Sequence, residues 1–183
     1  LQTLEDSLAS AKDANEEGVQ IVYQPGTQHS YSGGGYTILQ LLIEEVSGLP
    51  FDNYMKSEVL EPLEMNQSDF NFSPEIEKNL AVVYDSNGRL TASHFFTAKA
   101  AAGLYTTGKD LSSWTAAMLQ PDTSVQRNKI LETKTLQDMF HPQPEASGLF
   151  SDGLGYSVEK ILFQNIDEVY HTGTNLPGWC SLV

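Results

Sequence analysis

Six large aliphatic residues, Ile38, Leu39, Leu41, Leu42, Ile43 and Val46, crowd into one stretch bounded by the glycine run 33–35 and by Gly48. At 3.6 residues per turn they cover most sides of a helix. Such a helix has to be enclosed on most sides, which places it at the centre of a core. Gly48 stands where the chain needs left-handed backbone to leave the helix. With 183 residues and 40% apolar content, the chain can build a sizeable core as one domain or a large part of one.

The flanking sequence is mostly helical. Leu1, Leu4, Leu8 and Ala11 recur at helical spacing, and the polar run KDANEEG ends that pattern. VQIVYQPG reads as a short extended segment stopped at Pro25-Gly26. A helix from Pro50 to about Leu60 presents Phe51, Tyr54, Met55 and Val59 on one face, and YDSNGRL carries a hairpin signal at Asn87-Gly88. TTGKDLSSWTAAML predicts a capped helix with Leu111, Trp114 and Met118 inward, and TKTLQDMF a shorter one ended by His141-Pro142. Beyond that the texture changes. GLGYSVEKILF and DEVYHTGT, separated by the polar turn QNID, read as two paired strands. The organisation expected is a mostly helical region over 1–150 and the first strands of a sheet region over 151–183.

Twenty-four acidic against ten basic residues give a net charge of −14, which disfavours nucleic acid and anionic membrane surfaces as partners. Small molecules or peptides are the better fit. Cys180 stands alone and, beside Trp179 and Leu182, reads as a buried thiol. No run approaches the roughly 18 apolar residues that a spanning helix needs. The chain opens on Leu1 and its first methionine is Met55, so an upstream segment, with any export signal, is expected.

Several catalytic and binding motifs are absent. The glycine run is not Gly-x-Gly-x-x-Gly, because position 38 is Ile, and no phosphate-binding Gly-x-x-x-x-Gly-Lys occurs. Ser157 has Gly155 before it but Glu159 after it, which is no nucleophile elbow. His29, His94, His141 and His171 are too scattered for a metal site, and the first three read as structural or surface residues. A Ser-x-x-Lys helix would make a nucleophile, since residues three apart share a helical face. The serine match, Ser157 to Lys160, lies in a strand pattern, where residues three apart face opposite ways. Thr106 to Lys109 falls where a helix start wants caps. No nucleophile of the chain's own emerges.

Tyr31 stands out because a tyrosine on a turn with three glycines is poorly placed to fill a core and well placed to present its phenol in a cleft. A phenol titrating near 10 needs a nearby cation before it can act as a base at neutral pH. His171-Thr172-Gly173, at the end of an apolar strand pattern, offers a strand edge against which an extended acyl group could lie. A strand ending in a polar turn accounts for that triplet equally well.

Taken together and in order, these residues resemble the serine β-lactamase and penicillin-binding-protein superfamily, in the branch of class C β-lactamases, D-alanyl-D-alanine carboxypeptidases and related esterases. PGTQHSYSGGGYTILQLLIEEVSG resembles that branch's Tyr-Ser/Ala-Asn element and its helix, and VLEPLEMNQSDF its Pro-Leu-Gly-Met segment. AAAGLYTTGKDLSSW resembles the Gly-Leu-x-Ser/Thr helix start; GLGYSVEK and HTGTNLPGW resemble the closing strands with the Lys/His-Thr/Gly-Gly element. The resemblance runs from about residue 22 to the end. It implies an α/β (α+β) fold of the β-lactamase/transpeptidase type, incomplete here: the helical region plus part of the mixed antiparallel sheet. It also implies a serine on a Ser-x-x-Lys helix that attacks an ester or amide carbonyl through an acyl-enzyme, with no cofactor and no metal. Carried over, Tyr31 is the general base or proton relay and His171 takes the place of the strand lysine. Ser32, Gly33, Thr172 and Gly173 line the substrate site. A periplasmic or secreted location also follows from the resemblance.

Three departures bear on what this implies. The Ser-x-x-Lys helix precedes the tyrosine element in the family, so it is expected upstream of Leu1, and the chain alone is expected to be inactive. Gly33 stands where the β-lactamases have Asn, removing an amide that would hold an acylamino group. His171 replaces Lys, and a histidine's charge fades above roughly pH 6.5. The last two tilt the expectation from β-lactams towards ester or peptide substrates. The alternative is a non-catalytic penicillin- or peptide-binding or scaffold module of the same fold. WCSLV resembles the start of a further strand, so the remaining segments of a longer chain are needed to complete the sheet and cover an open edge and apolar face.

Overall fold

A computed structural model of the chain describes residues 3–9, 18–92, 95–119, 130–141, 151–152, 155, 157–161, 166–175 and 179–183. The first helix, α1 (Leu4–Leu8), is closed by a reciprocal capping box between Thr3 and Asp6 and buries Leu4. Residues 12–17 of KDANEEG, His94, Pro142 and the first two residues of QNID lie outside the described residues. Among the described residues the segment 19–24 takes no strand partner, and it reverses at a turn in which Thr27 N–H donates to Gln24 C=O at 3.2 Å. Gly26, at φ 78°, occupies the third position, as a type II turn requires.

Helix α2 (Gly33–Ser47) forms as the sequence predicts. Ser32 caps it, accepting from Gly35 N–H, and Gly48 at φ 70° ends it with its N–H on Glu44 C=O. The face it buries is not the expected one. Thr37 and Gln40 are buried, with Ile43 half-buried behind them, whereas Ile38, Leu39 and Leu42 are exposed and Val46 is 80% exposed. The stripe at i, i+4, i+7 from Gly33 is thus the docking face, and its contacts are polar. Thr37 Oγ1 donates to Gly33 C=O, Gln40 bonds backbone groups at residues 97 and 100, and Glu44 Oε1 accepts from Phe51 N–H at 3.0 Å. Of the apolar run Ile43 packs on the core cluster while Ile38, Leu39, Leu42 and Val46 stay exposed, so α2 flanks the core rather than filling its centre.

The core lies one element later. Phe51, Leu60, Leu63, Met65 and Phe70 form a buried cluster, with Leu63 fully enclosed and Ile43, Val59, Ala100 and Trp114 packed around it. Phe51 and Phe70 meet edge to face at 5.1 Å between centroids. This cluster hangs on how the helix after Pro50 ends. Helix α3 (Phe51–Met55) passes into a π-helical turn (Lys56–Leu60) and stops in a Schellman motif, Met65 N–H donating to Leu60 C=O and Glu64 N–H to Glu61 C=O. The left-handed residue of that motif is Glu64, at φ 57°. It stands at the glycine of the Pro-Leu-Gly-Met pattern. A β-carbon in left-handed backbone costs about 1–2 kcal/mol, partly offset by the unfolded-state entropy that glycine would add. Glu64→Gly is therefore expected to stabilise the fold by about 0.5–1 kcal/mol, read as a raised urea midpoint at unchanged slope.

The segment after Met65 is tied to the far end of the chain's helical half. Helix α4 (Pro74–Asn79) follows, and β1 (Val83–Tyr84) pairs antiparallel with β2 (Leu90–Thr91) across the expected Asn87-Gly88 turn. Asp69 and Tyr105 exchange both backbone hydrogen bonds. Asp110, 2% exposed near the start of α6 (Gly108–Leu119), accepts from Gln67 N–H and from Ser68 Oγ, each at 2.8 Å. Thr107 caps α6 at Asp110 N–H, while the hydroxyl of Thr106 pairs with Ser68. Of the residues expected inward on α6, Met118 is buried and Leu111 and Trp114 are half-buried. Between the hairpin and α6 lies α5 (Lys99–Ala102). Lys99 Nζ reaches Asp52 at 3.2 Å and Asn71 at 2.7 Å, and Asn71 also donates to Asp52. Burial alone would raise the Asp52 carboxyl, but the Lys99 ammonium and the Asn71 amide outweigh it and hold its pKa below the usual value.

After α7 (Thr133–Phe140) the chain turns to strands. Strands β3 (Ser151–Asp152), β4 (Ser157–Ile161) and β5 (Ile166–Tyr170) form an antiparallel sheet in that order, and β6 (Thr172–Asn175) pairs antiparallel with β7 (Trp179–Leu182). Ser157 and Lys160 thus lie on a strand, not on the helix a Ser-x-x-Lys nucleophile needs. Cys180 is exposed, against the expectation of a buried thiol. It sits opposite Thr174 in a two-stranded ribbon that, among the described residues, nothing covers on its Cys180 side.

Candidate active site

Tyr31 immediately precedes the residue that caps α2, so the helix start fixes the direction in which the phenol leaves the chain. The ring is 76% exposed. It stands 6.2 Å, centroid to centroid, from the imidazole of His171, tilted by 37°. Residues 140 positions apart in the chain are therefore neighbours at the open end of α2. His171 is half-buried, and its backbone N–H and C=O both pair with Val183, at 2.9 and 3.0 Å, which extends the β6–β7 ladder and fixes the histidine's place on it.

The glycines divide by role. A side chain at Gly34 would meet Val19 Cγ2 at 2.7 Å, so this glycine lets the segment after α1 cross the start of α2. Gly33 is different: the nearest neighbour of a β-carbon there would be Ala101 Cβ at 3.9 Å, ordinary contact distance. The absent amide at position 33 is thus not imposed by crowding. On the strand side, Thr172 is exposed, and a β-carbon on Gly173 would lie 2.7 Å from Ser181 Oγ, so the cross-strand neighbour explains this glycine. Among the described residues β6 pairs only with β7, which leaves its other edge open for main-chain hydrogen bonding. Ser32 is occupied by its capping bond to Gly35 N–H at 3.0 Å.

The remaining described features set bounds on the site. His29 and His141 are exposed, and no three metal-ligating side chains come together among the described residues. No helix among them is long and apolar enough to cross a membrane. A cleft of about 610 Å³ lies elsewhere, between the Lys56–Asp69 segment and α4, with Lys56, Ser68, Glu75 and Asn79 in its lining.

A β-lactamase family model matches residues 8–183. The chain belongs to the β-lactamase family. Within it, the chain is 30% identical over 102 residues to a β-lactamase of Escherichia coli K12, covering 56% of this chain and 27% of that protein. It is 27% identical over 154 residues to PbpX of Bacillus subtilis strain 168, named as a penicillin-binding protein, covering 84% and 37%. The chain therefore spans roughly a third of these curated relatives. The octameric penicillin-binding protein homologue of Pyrococcus abyssi superposes with a TM-score of 0.72 at 29% identity, over 94% of this chain and 39% of that one. A class C β-lactamase superposes at 0.71 over 91% and 51%; at 15% identity this likeness concerns the fold alone. The fold is thus the β-lactamase/transpeptidase type, present in part.

Two buried polar residues that tie the elements together escaped the sequence reading. Gln40 is the lone polar residue within the apolar run 38–43, and that isolation was the available signal. Asp110 sits three residues after its helix cap, where it mimics a capping-box acid, and its true partners, Gln67 and Ser68, are more than 40 residues away.

Proposed function

We propose that this chain supplies the tyrosine and strand half of a serine hydrolase site, and that the nucleophilic serine and its lysine come from a segment of the full-length protein outside these 183 residues. The observation that carries the reading is the exposed Tyr31 phenol 6.2 Å from the His171 ring. A phenol that filled a core would be enclosed, whereas this one is exposed beside an imidazole from the strand region.

In this reading the serine Oγ attacks an ester or amide carbonyl, and its proton passes to the lysine–tyrosine pair. The tetrahedral intermediate collapses as the leaving group takes up that proton, leaving an acyl-enzyme that water then cleaves. The open edge of β6, with Thr172 and Gly173, lies beside the extended acyl group, and His171, in the place of the strand lysine, stands next to Tyr31. Gly33 brings no amide to an acylamino group although it has room for a side chain, which favours simple esters or D-alanyl peptides over β-lactams.

Residues 1–183 alone are expected to turn over neither a chromogenic ester nor a chromogenic cephalosporin, while the full-length protein hydrolyses the ester. Turnover by the short chain that disappears with Tyr31→Phe would place the nucleophile inside it and overturn the division proposed. A full-length protein that binds a penicillin or peptide without turnover would instead favour a binding module.

A further inference from the structure

We propose that Tyr36 is a positioning residue for the reaction: its hydroxyl butts against the turn at Gly155 and so sets how far the His171 imidazole stands from the Tyr31 phenol. The proposal rests on the hydrolase reading above. It starts from a glycine under two constraints. Gly155 has φ 85°, in the left-handed region where a side chain is strained. A β-carbon there would also lie 2.8 Å from Tyr36 Oη, closer than real side chains approach. The phenol oxygen of a helix residue thus rests on bare backbone of the strand region.

Where that backbone leads gives the contact its meaning. Gly155 stands two residues before β4, whose first residue, Ser157, pairs with Tyr170 at the end of β5. His171 is the next residue. Its own N–H and C=O are tied to Val183, so it moves with the strands rather than independently of them. Tyr36, for its part, is the fourth residue of α2, and Ser32, next to Tyr31, caps the same helix. Two approaches between the start of α2 and the strand region therefore lie side by side: Tyr31 to His171, 6.2 Å between ring centroids, and Tyr36 to Gly155. The first pair carries the chemistry in this reading, and the second is the close contact that fixes its spacing. Tyrosine suits the task because its planar ring turns on two torsions alone and carries the oxygen at its far end. A phenylalanine ends one atom short of the Gly155 turn.

The test uses steady-state hydrolysis of p-nitrophenyl acetate by the full-length protein, with urea unfolding of each variant alongside. Tyr36→Phe should lower kcat by about threefold or more with KM little changed, since a small misplacement of reacting groups is felt in the chemical step. The same substitution made in His171→Ala should lower kcat no further, because the group it positions is gone. Gly155→Ala should lower kcat by about tenfold or more. Adding Tyr36→Phe to Gly155→Ala should then raise kcat again, because the new methyl takes the place of the missing oxygen. Losses that simply multiply in both pairs of substitutions would overturn the proposal. So would a Tyr36→Phe variant that loses stability at wild-type kcat, the mark of a structural tyrosine. Where Gly155→Ala fails to fold, the Tyr36 and His171 pair decides alone. A wild type that takes up no fluorophosphonate and cleaves no ester would instead remove the hydrolase reading, and this proposal with it.

Discussion

Tyr31→Phe in the full-length protein should lower kcat/KM for an ester by about 10²–10⁴-fold, the usual worth of a positioned acid–base group. The loss should fall on kcat with KM little changed, because the hydroxyl is asked to move a proton rather than to hold the substrate. Stability should stay where it was. The residue is 76% exposed, and the side-chain change removes only its hydroxyl oxygen. A loss of less than about threefold would show that the phenol is a bystander. A large loss accompanied by unfolding would show a structural tyrosine instead. Steady-state kinetics alongside urea unfolding separates these outcomes.

Asp110→Ala carries the largest expected cost in stability, about 3–4 kcal/mol. Its carboxylate, on a residue only 2% exposed, receives two hydrogen bonds at 2.8 Å, from Gln67 N–H and Ser68 Oγ. Removing it loses two hydrogen bonds to a charged group, each worth about 1.5–3 kcal/mol. It also cuts the tie between the Met65–Phe70 segment of the core and the start of α6. The comparison is Asp138→Ala, whose ion pair with Lys134 at 2.7 Å is exposed on α7 and should shift stability by no more than about 0.5 kcal/mol. Urea unfolding of the two variants beside the wild type checks both. Equal effects would mean that Asp110 is not the latch described.

What could be read in advance follows from the range of the interactions involved. Gly48 as a helix terminator, the Asn87-Gly88 hairpin and the cap at Thr107 are decided by neighbours a few residues apart, and each stands as expected. The pairing of β4 with β5 was readable from alternation across a short polar turn. The core was misplaced because hydrophobicity says which residues want cover, not which will find it. On α2 the apolar stripe stays open and the polar stripe of Thr37, Gln40 and Glu44 makes the contacts. The Gln40 contacts, like Asp110 to Ser68 and Lys99 to Asp52, join residues too far apart in sequence for any local pattern to reveal. Cys180 was misread for a related reason: burial of a strand residue depends on what packs over the ribbon. The nearness of Tyr31 to His171 was expected only through the family resemblance, since nothing local links a helix start to a strand 140 residues later.

Intact-mass spectrometry with a fluorophosphonate probe addresses the division of the site most directly. Incubated with the probe and then digested, the full-length protein should carry one adduct, on a serine of an upstream Ser-x-x-Lys peptide, and residues 1–183 alone should carry none. An adduct on any residue of the short chain, or a full-length protein left at its native mass, would contradict the account.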